Sequence, residues 1–116
     1  MARKIASTKI FDAVTISNGA AATSPAINIE AGEAFSLHLS AISGTVPSVT
    51  FTYSIAPSTN GPFTTPVSPS TTFSAQTSPN VLPLVPEAGG GLKITATNSG
   101  AGPIVLDVYS VVIESL

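Results

Sequence analysis

The chain has no cysteine and no tryptophan, a single histidine, and only 4 basic and 6 acidic residues in 116. Without cysteine there is no disulfide framework, no thiolate nucleophile and no sulfur-ligated metal. Four scattered cations against a net charge of −2 cannot neutralise a run of phosphates, so nucleic acid is not expected as a partner. No apolar run reaches the length of about 18 residues that marks a membrane helix, and no membrane is expected as a partner. The N-terminal Met1-Ala2-Arg3-Lys4 is followed by the short polar stretch Ile5-Ala6-Ser7-Thr8-Lys9, not by the apolar core of a secretion signal. Synthesis and folding in a cytoplasm are the expectation.

Hydroxyls take the place of the missing charges: the chain carries 16 Ser and 14 Thr. Its periodicity is that of strands. From Glu33 to Ala41, Phe35, Leu37, Leu39 and Ala41 alternate with Ser36, His38 and Ser40. Val49 to Ile55 repeats the pattern with β-branched and aromatic residues. With Ser43-Gly44-Thr45-Val46-Pro47 between them, these two runs are expected to form an antiparallel hairpin. Ile10–Ile16 and Pro25–Ile29 read as earlier strands, and Leu92–Thr97 as a later one with Leu92, Ile94 and Ala96 on one face.

The last strand, Ile104 to Ile113, is apolar on both faces. Ile104, Leu106, Val108 and Val112 share one, Val105, Tyr109, Val111 and Ile113 the other. Such a strand is either central in a two-layer core or half covered by another chain. Seven of the ten prolines fall between Pro57 and Pro86, and proline is kept out of central strands. That segment reads as a long excursion with at most short edge strands at Thr71–Ala75 and Val81–Val85. Phe63, Phe73, Leu82 and Leu84 make it too apolar for free disorder.

The sequence implies an all-β antiparallel β-sandwich, jelly-roll or immunoglobulin-like. It comprises an N-terminal arm over residues 1–9, one domain over residues 10–116, and the Pro-rich excursion at about 57–90.

No chemistry stands out. There is no phosphate-cradling motif, and Gly89-Gly90-Gly91 reads as a flexible connection into the strand at Leu92. His38 has Ser36 and Ser40 on its face, but no nucleophile elbow accompanies them. Glu30, Glu33 and His38 form no recognisable metal-ligand spacing. No catalytic residue, no metal ligand and no cofactor is assigned, and an enzyme is not expected.

Several stretches carry a resemblance. Thr23-Ser24-Pro25-Ala26-Ile27-Asn28-Ile29, the alternating Glu33–Ala41 run and Gly44-Thr45-Val46-Pro47-Ser48-Val49-Thr50-Phe51 resemble strands and turns of small β-sandwich structural proteins of tailed bacteriophages. Ser58-Thr59-Asn60-Gly61-Pro62-Phe63 is similar to their loop that introduces an aromatic, and Leu92–Asn98 and Ile104–Glu114 to their closing strands. The chain departs from that pattern in lacking the Trp that commonly follows the loop and in its longer Pro62–Pro86 segment.

The resemblance implies a virion protein on the capsid surface, of the capsid-decoration (cement) or head-associated kind. Its expected partners are further copies of itself, a trimer by capsid symmetry, and a major capsid protein. Contacts are expected through Val105, Tyr109, Val111 and Ile113, through Phe63, Phe73, Leu82 and Leu84, and through Arg3, Lys4 and Lys9 on an arm reaching an acidic neighbour. The alternative is a carbohydrate- or receptor-binding module of a tail or cell surface.

Overall fold

A computed structural model describes residues 3–30, 32–43, 48–66, 70–74, 80–84, 89–98 and 102–115. Among these there is no helix. Nine strands follow one another: β1 (Arg3–Ile16), β2 (Ala21–Thr23), β3 (Ile27–Asn28), β4 (Gly32–Ser43), β5 (Ser48–Ala56), β6 (Ser70–Ser74), β7 (Asn80–Leu84), β8 (Gly91–Asn98) and β9 (Ile104–Ser115). They form two antiparallel sheets, sheet A in the order β1-β9-β4-β7 and sheet B in the order β2-β8-β5-β6, with β3 also on β8.

The pairing resolves which sandwich this is. β1 pairs with β9, β2 and β3 with β8, β4 with β7, and β5 with β6. This is one long hairpin folded over on itself, with β5 and β6 nearest its tip. The further pairs β4–β9 and β5–β8 complete the two sheets. Counting β2 and β3 as one interrupted strand gives eight strands in two four-stranded sheets, which is a jelly roll. An immunoglobulin-like order would set β1 beside β2, and here they lie in different sheets.

Alternation decides what each strand buries. In sheet A, Leu37, Leu39, Ile104, Leu106 and Val108 point inward; Val49, Phe51, Leu92, Ile94 and Ala96 meet them from sheet B. Phe11 and Ile16 of β1 complete this core.

Two buried polar side chains supplement the ladders. Asn98 donates from Nδ2 to the carbonyls of Ile16, at 3.0 Å, and Gly102, at 2.7 Å. It thereby links the end of sheet B to the end of β1 and to the turn before β9. Ser24, between β2 and β3, accepts the Ile94 N–H at 2.9 Å and donates to the Pro25 carbonyl at 2.9 Å. A side chain thus completes the edge where proline interrupts it. Among the described residues no buried side-chain nitrogen or oxygen lacks a partner.

Three expectations change. The Glu33–Ala41 and Val49–Ile55 runs are strands, but not a hairpin: β4 belongs to sheet A and β5 to sheet B. Residues 3–9, expected as an arm, are the first half of β1, with Arg3 opposite Ser115 and Lys4 opposite Glu114.

Gly89-Gly90-Gly91 is not a flexible connection either. A Cβ at Gly90 would lie 2.5 Å from the Pro57 carbonyl oxygen, and one at Gly91 2.5 Å from that of Ser58. The glycines let two backbones touch, and Gly90 N–H donates to the Ala56 carbonyl at 2.9 Å. The two short edge strands expected in the Pro-rich segment are present as β6 and β7.

Candidate functional site

The two outer faces of the sandwich differ in chemistry. On sheet B, the outward positions of the central strands β5 and β8 are Thr50, Thr52, Ser54, Lys93, Thr95 and Thr97, all half-buried. Thr23 and Thr95 face each other there across β2 and β8, their hydroxyls 3.3 Å apart. On sheet A the central strand β9 presents Val105, Tyr109, Val111 and Ile113, also half-buried, with Asp107 between them.

Register builds this surface in rows across the sheet. Ile5, Ile113 and Ala34 form one row; Ser7, Val111 and Ser36 the next; Lys9, Tyr109, His38 and Val81 the third. The middle column is apolar, and Ser7 and Ser36 flank it. Ile5 and Val81, at the two sides, are 69% and 53% exposed and are the large exposed hydrophobics among the described residues. Two shallow depressions share Val111. One, of about 180 Å³, lies over Ala34, Ser36 and Ile113; the other, of about 330 Å³, lies over Ser7, His38, Tyr109 and Val81. His38 Nε2 is 3.0 Å from Ser36 Oγ, so the imidazole is held along the strand within the patch.

The charged groups beside this face pair within the chain, one cation between two carboxylates. Lys9 Nζ lies 3.1 Å from Asp12 and 3.2 Å from Asp107, and 5.7 Å from the Tyr109 ring centroid. A bulge in β1 creates this arrangement: the register against β9 shifts between Lys9 and Val14, and Ala13 sits in the left-handed region with φ 51°. Its N–H donates to Asp107 Oδ1 at 2.7 Å. That hydrogen bond, with the Lys9 ammonium second, holds the Asp107 carboxyl below the usual carboxylate range. Hydrogen bonds from Lys9 to Asp12 and then Asp107 raise the Lys9 pKa.

The residues singled out in the sequence divide accordingly. Val105, Tyr109, Val111 and Ile113 are brought together on one face. Lys9 borders that face, engaged within its own chain. Phe63 belongs to the other side of the molecule, where Lys93 Nζ of sheet B lies 4.5 Å from its ring centroid. Phe73 is in β6 on sheet B, opposite Val49. Leu82 and Leu84 are in β7, opposite Leu37 and Phe35 of sheet A. The side chains of Phe73, Leu82, Leu84, Arg3 and Lys4 lie outside the described ones. Reading the sequence alone missed Ile5, Val81 and His38 as members of the patch. Each is separated by many residues from β9, and only the sheet order brings them beside it.

A third hollow, of about 250 Å³, opens at the β1 side of the sandwich between Ala6, Thr8 and Ile10 and the Pro25–Ile27 segment. Among the described residues no group of three or more His, Asp or Glu is placed to hold a metal ion. What the sheet A face offers is apolar area with a hydroxyl border, suited to contact with a surface.

No family model matches the sequence, and no curated protein matches it either. Among solved structures, the crystal structure of SPBc2 prophage-derived protein YomS aligns with 98% of this chain and 96% of its own, at 12% identity and a TM-score of 0.51. At that identity the likeness is one of fold: this chain and the prophage-derived protein share their β-sandwich architecture.

Proposed function

We propose that the chain is a non-enzymatic structural protein of a bacteriophage virion, which decorates the capsid by laying the outer face of sheet A against the shell. The observation that carries this reading is the asymmetry of the two outer faces. Sheet B meets water with threonine, serine and lysine, while the central strand of sheet A presents Val105, Tyr109, Val111 and Ile113. The fold likeness to a prophage-derived protein supports the phage context.

Each Å² of apolar surface withdrawn from water at such a contact contributes roughly 25 cal/mol before association costs. Many modest contacts on one particle add through multivalency. With a net charge of −2, neighbouring copies repel one another little at long range.

The test uses particles purified from cells that carry the gene. The chain is expected in them at a fixed ratio to the major shell protein. The double variant Val111→Asp with Ile113→Asp is expected to fold, as judged by an unchanged far-ultraviolet circular dichroism spectrum, yet to be lost from the particles. Particles free of the wild-type chain, or particles that retain the double variant, would overturn the proposal. A carbohydrate-binding reading draws on the hollow shared by His38, Tyr109 and Ser7; binding of the isolated protein on a glycan array would favour it.

A further inference from the structure

The four sheet edges are not equivalent. β6 and β7 span five residues each and β7 contains Pro83, while the β2–β3 edge is split into pieces of three and two residues around Pro25. β1 runs for 14 residues without a proline and stays in unbroken register against β9 from Arg3 to Lys9. An edge strand leaves alternate N–H and C=O groups unpaired, a template for another strand. Within this regular stretch sits Ile5, 69% exposed.

We infer that two copies of the chain pair antiparallel through β1 about a two-fold axis at Ile5, joining their A sheets into one of eight strands. Directly opposite residues on an antiparallel pair share a face, so the two-fold fixes every partner, and three registers compete. Centred on Ala6, the ladder sets Ile5 of one copy opposite Ser7 of the other, twice, so that each exposed apolar side chain meets a hydroxyl. Centred on Ser7, it sets Ile5 opposite Lys9, whose side chain is already held by Asp12 and Asp107. Centred on Ile5, it sets Ile5 against Ile5, Arg3 opposite Ser7 and Lys4 opposite Ala6, with no two cations facing. In that register the row Ala34–Ile113–Ile5 continues through the axis into its copy as one apolar band. A two-fold contact of this kind is isologous and closed, so it ends at a dimer.

This inference concerns self-association alone and does not depend on the virion reading. Light scattering after size exclusion should give twice the chain mass at low and high salt, because main-chain bonds and apolar contact are little screened. Ile5→Lys sets two ammoniums face to face and should give one chain mass, whereas Val81→Lys, at the far edge of the sheet, should keep two. The absence of cysteine permits a positional test. Mild oxidation should link Ile5→Cys into a covalent dimer, while Ser7→Cys, whose two copies are offset along the ladder beyond disulfide reach, should not link. A wild-type monomer or trimer, an Ile5→Lys dimer, or Ser7→Cys linking as readily as Ile5→Cys would each overturn the inference.

Discussion

Asn98 does more than any other polar residue described here to hold the sandwich closed, because its amide serves carbonyls from two separate segments. Replacing it by Ala leaves the Ile16 and Gly102 carbonyls without that donor, at a cost of about 2–3 kcal/mol. For a domain of this size that corresponds to a fall of roughly 10 °C in Tm, measurable by calorimetry.

Asp107 governs a different property. Its folded-state pKa is depressed by the Ala13 N–H and then by Lys9, so the unfolded chain binds more protons as pH falls through about 3.9. Its contribution is therefore present above that value and is lost as pH drops through the lower folded value. Lys9 behaves in the opposite sense: its raised pKa gives a contribution that is full below about 10.4 and lost as pH rises past the folded value. Urea midpoints should be flat between these limits with respect to this pair, and Asp107→Asn should shallow the acid limb. An unchanged acid limb in that variant would remove Asp107 from the account.

At the scale of elements, alternation made the faces of β4, β5, β8 and β9 legible. A period of two reports which side of a strand is buried; it does not report which strand lies alongside. For that reason Glu33–Ala41 and Val49–Ile55 read as a hairpin although the structure puts them in different sheets. A short turn can return within one sheet or cross to the other, and nothing in Ser43–Pro47 distinguishes the two.

Residues 3–9 read as an arm for a related reason. Ala6 and Thr8, between Ile5, Ser7 and Lys9, supply little hydrophobic signal, and the pairing with β9 that orders them is remote in sequence. The exposed apolar face of β9 was legible because both of its faces are apolar; its companions on β1, β4 and β7 were not.

The triple glycine was misread because the same residue serves flexible loops and close backbone approaches. The structure makes the second reading testable. Gly90→Ala forces a Cβ against the Pro57 carbonyl, which is backbone and cannot rotate away. A loss of about 1–3 kcal/mol is expected in denaturant titration; a neutral variant would mean that the seam relaxes freely.

For the molecule as a whole, the division of labour between its faces matters most. Val111 and Ile113 lie on the outside of sheet A, so carboxylates there stay hydrated, and the double variant used to test the proposed function should lose little stability. Leu106, which is fully buried on the same strand, is the contrasting control: an Asp at that position should unfold the protein, since an unpaired buried charge costs several kcal/mol. Comparable melting of the two would remove the distinction between core and outer face.

The folded-over hairpin also has a consequence in time. β9 sits between β1 and β4, with Arg3 opposite Ser115 and Gly32 opposite Glu114. On a translating ribosome, β1 and β4 emerge long before the strand that lies between them exists. Sheet A therefore closes only after β9 has cleared the exit tunnel, and until then β1 lacks the strand it pairs with and β4 has β7 alone. Assembly of this fold thus waits on its last strand, and the interval before β9 emerges is when the protein is most exposed to misassociation.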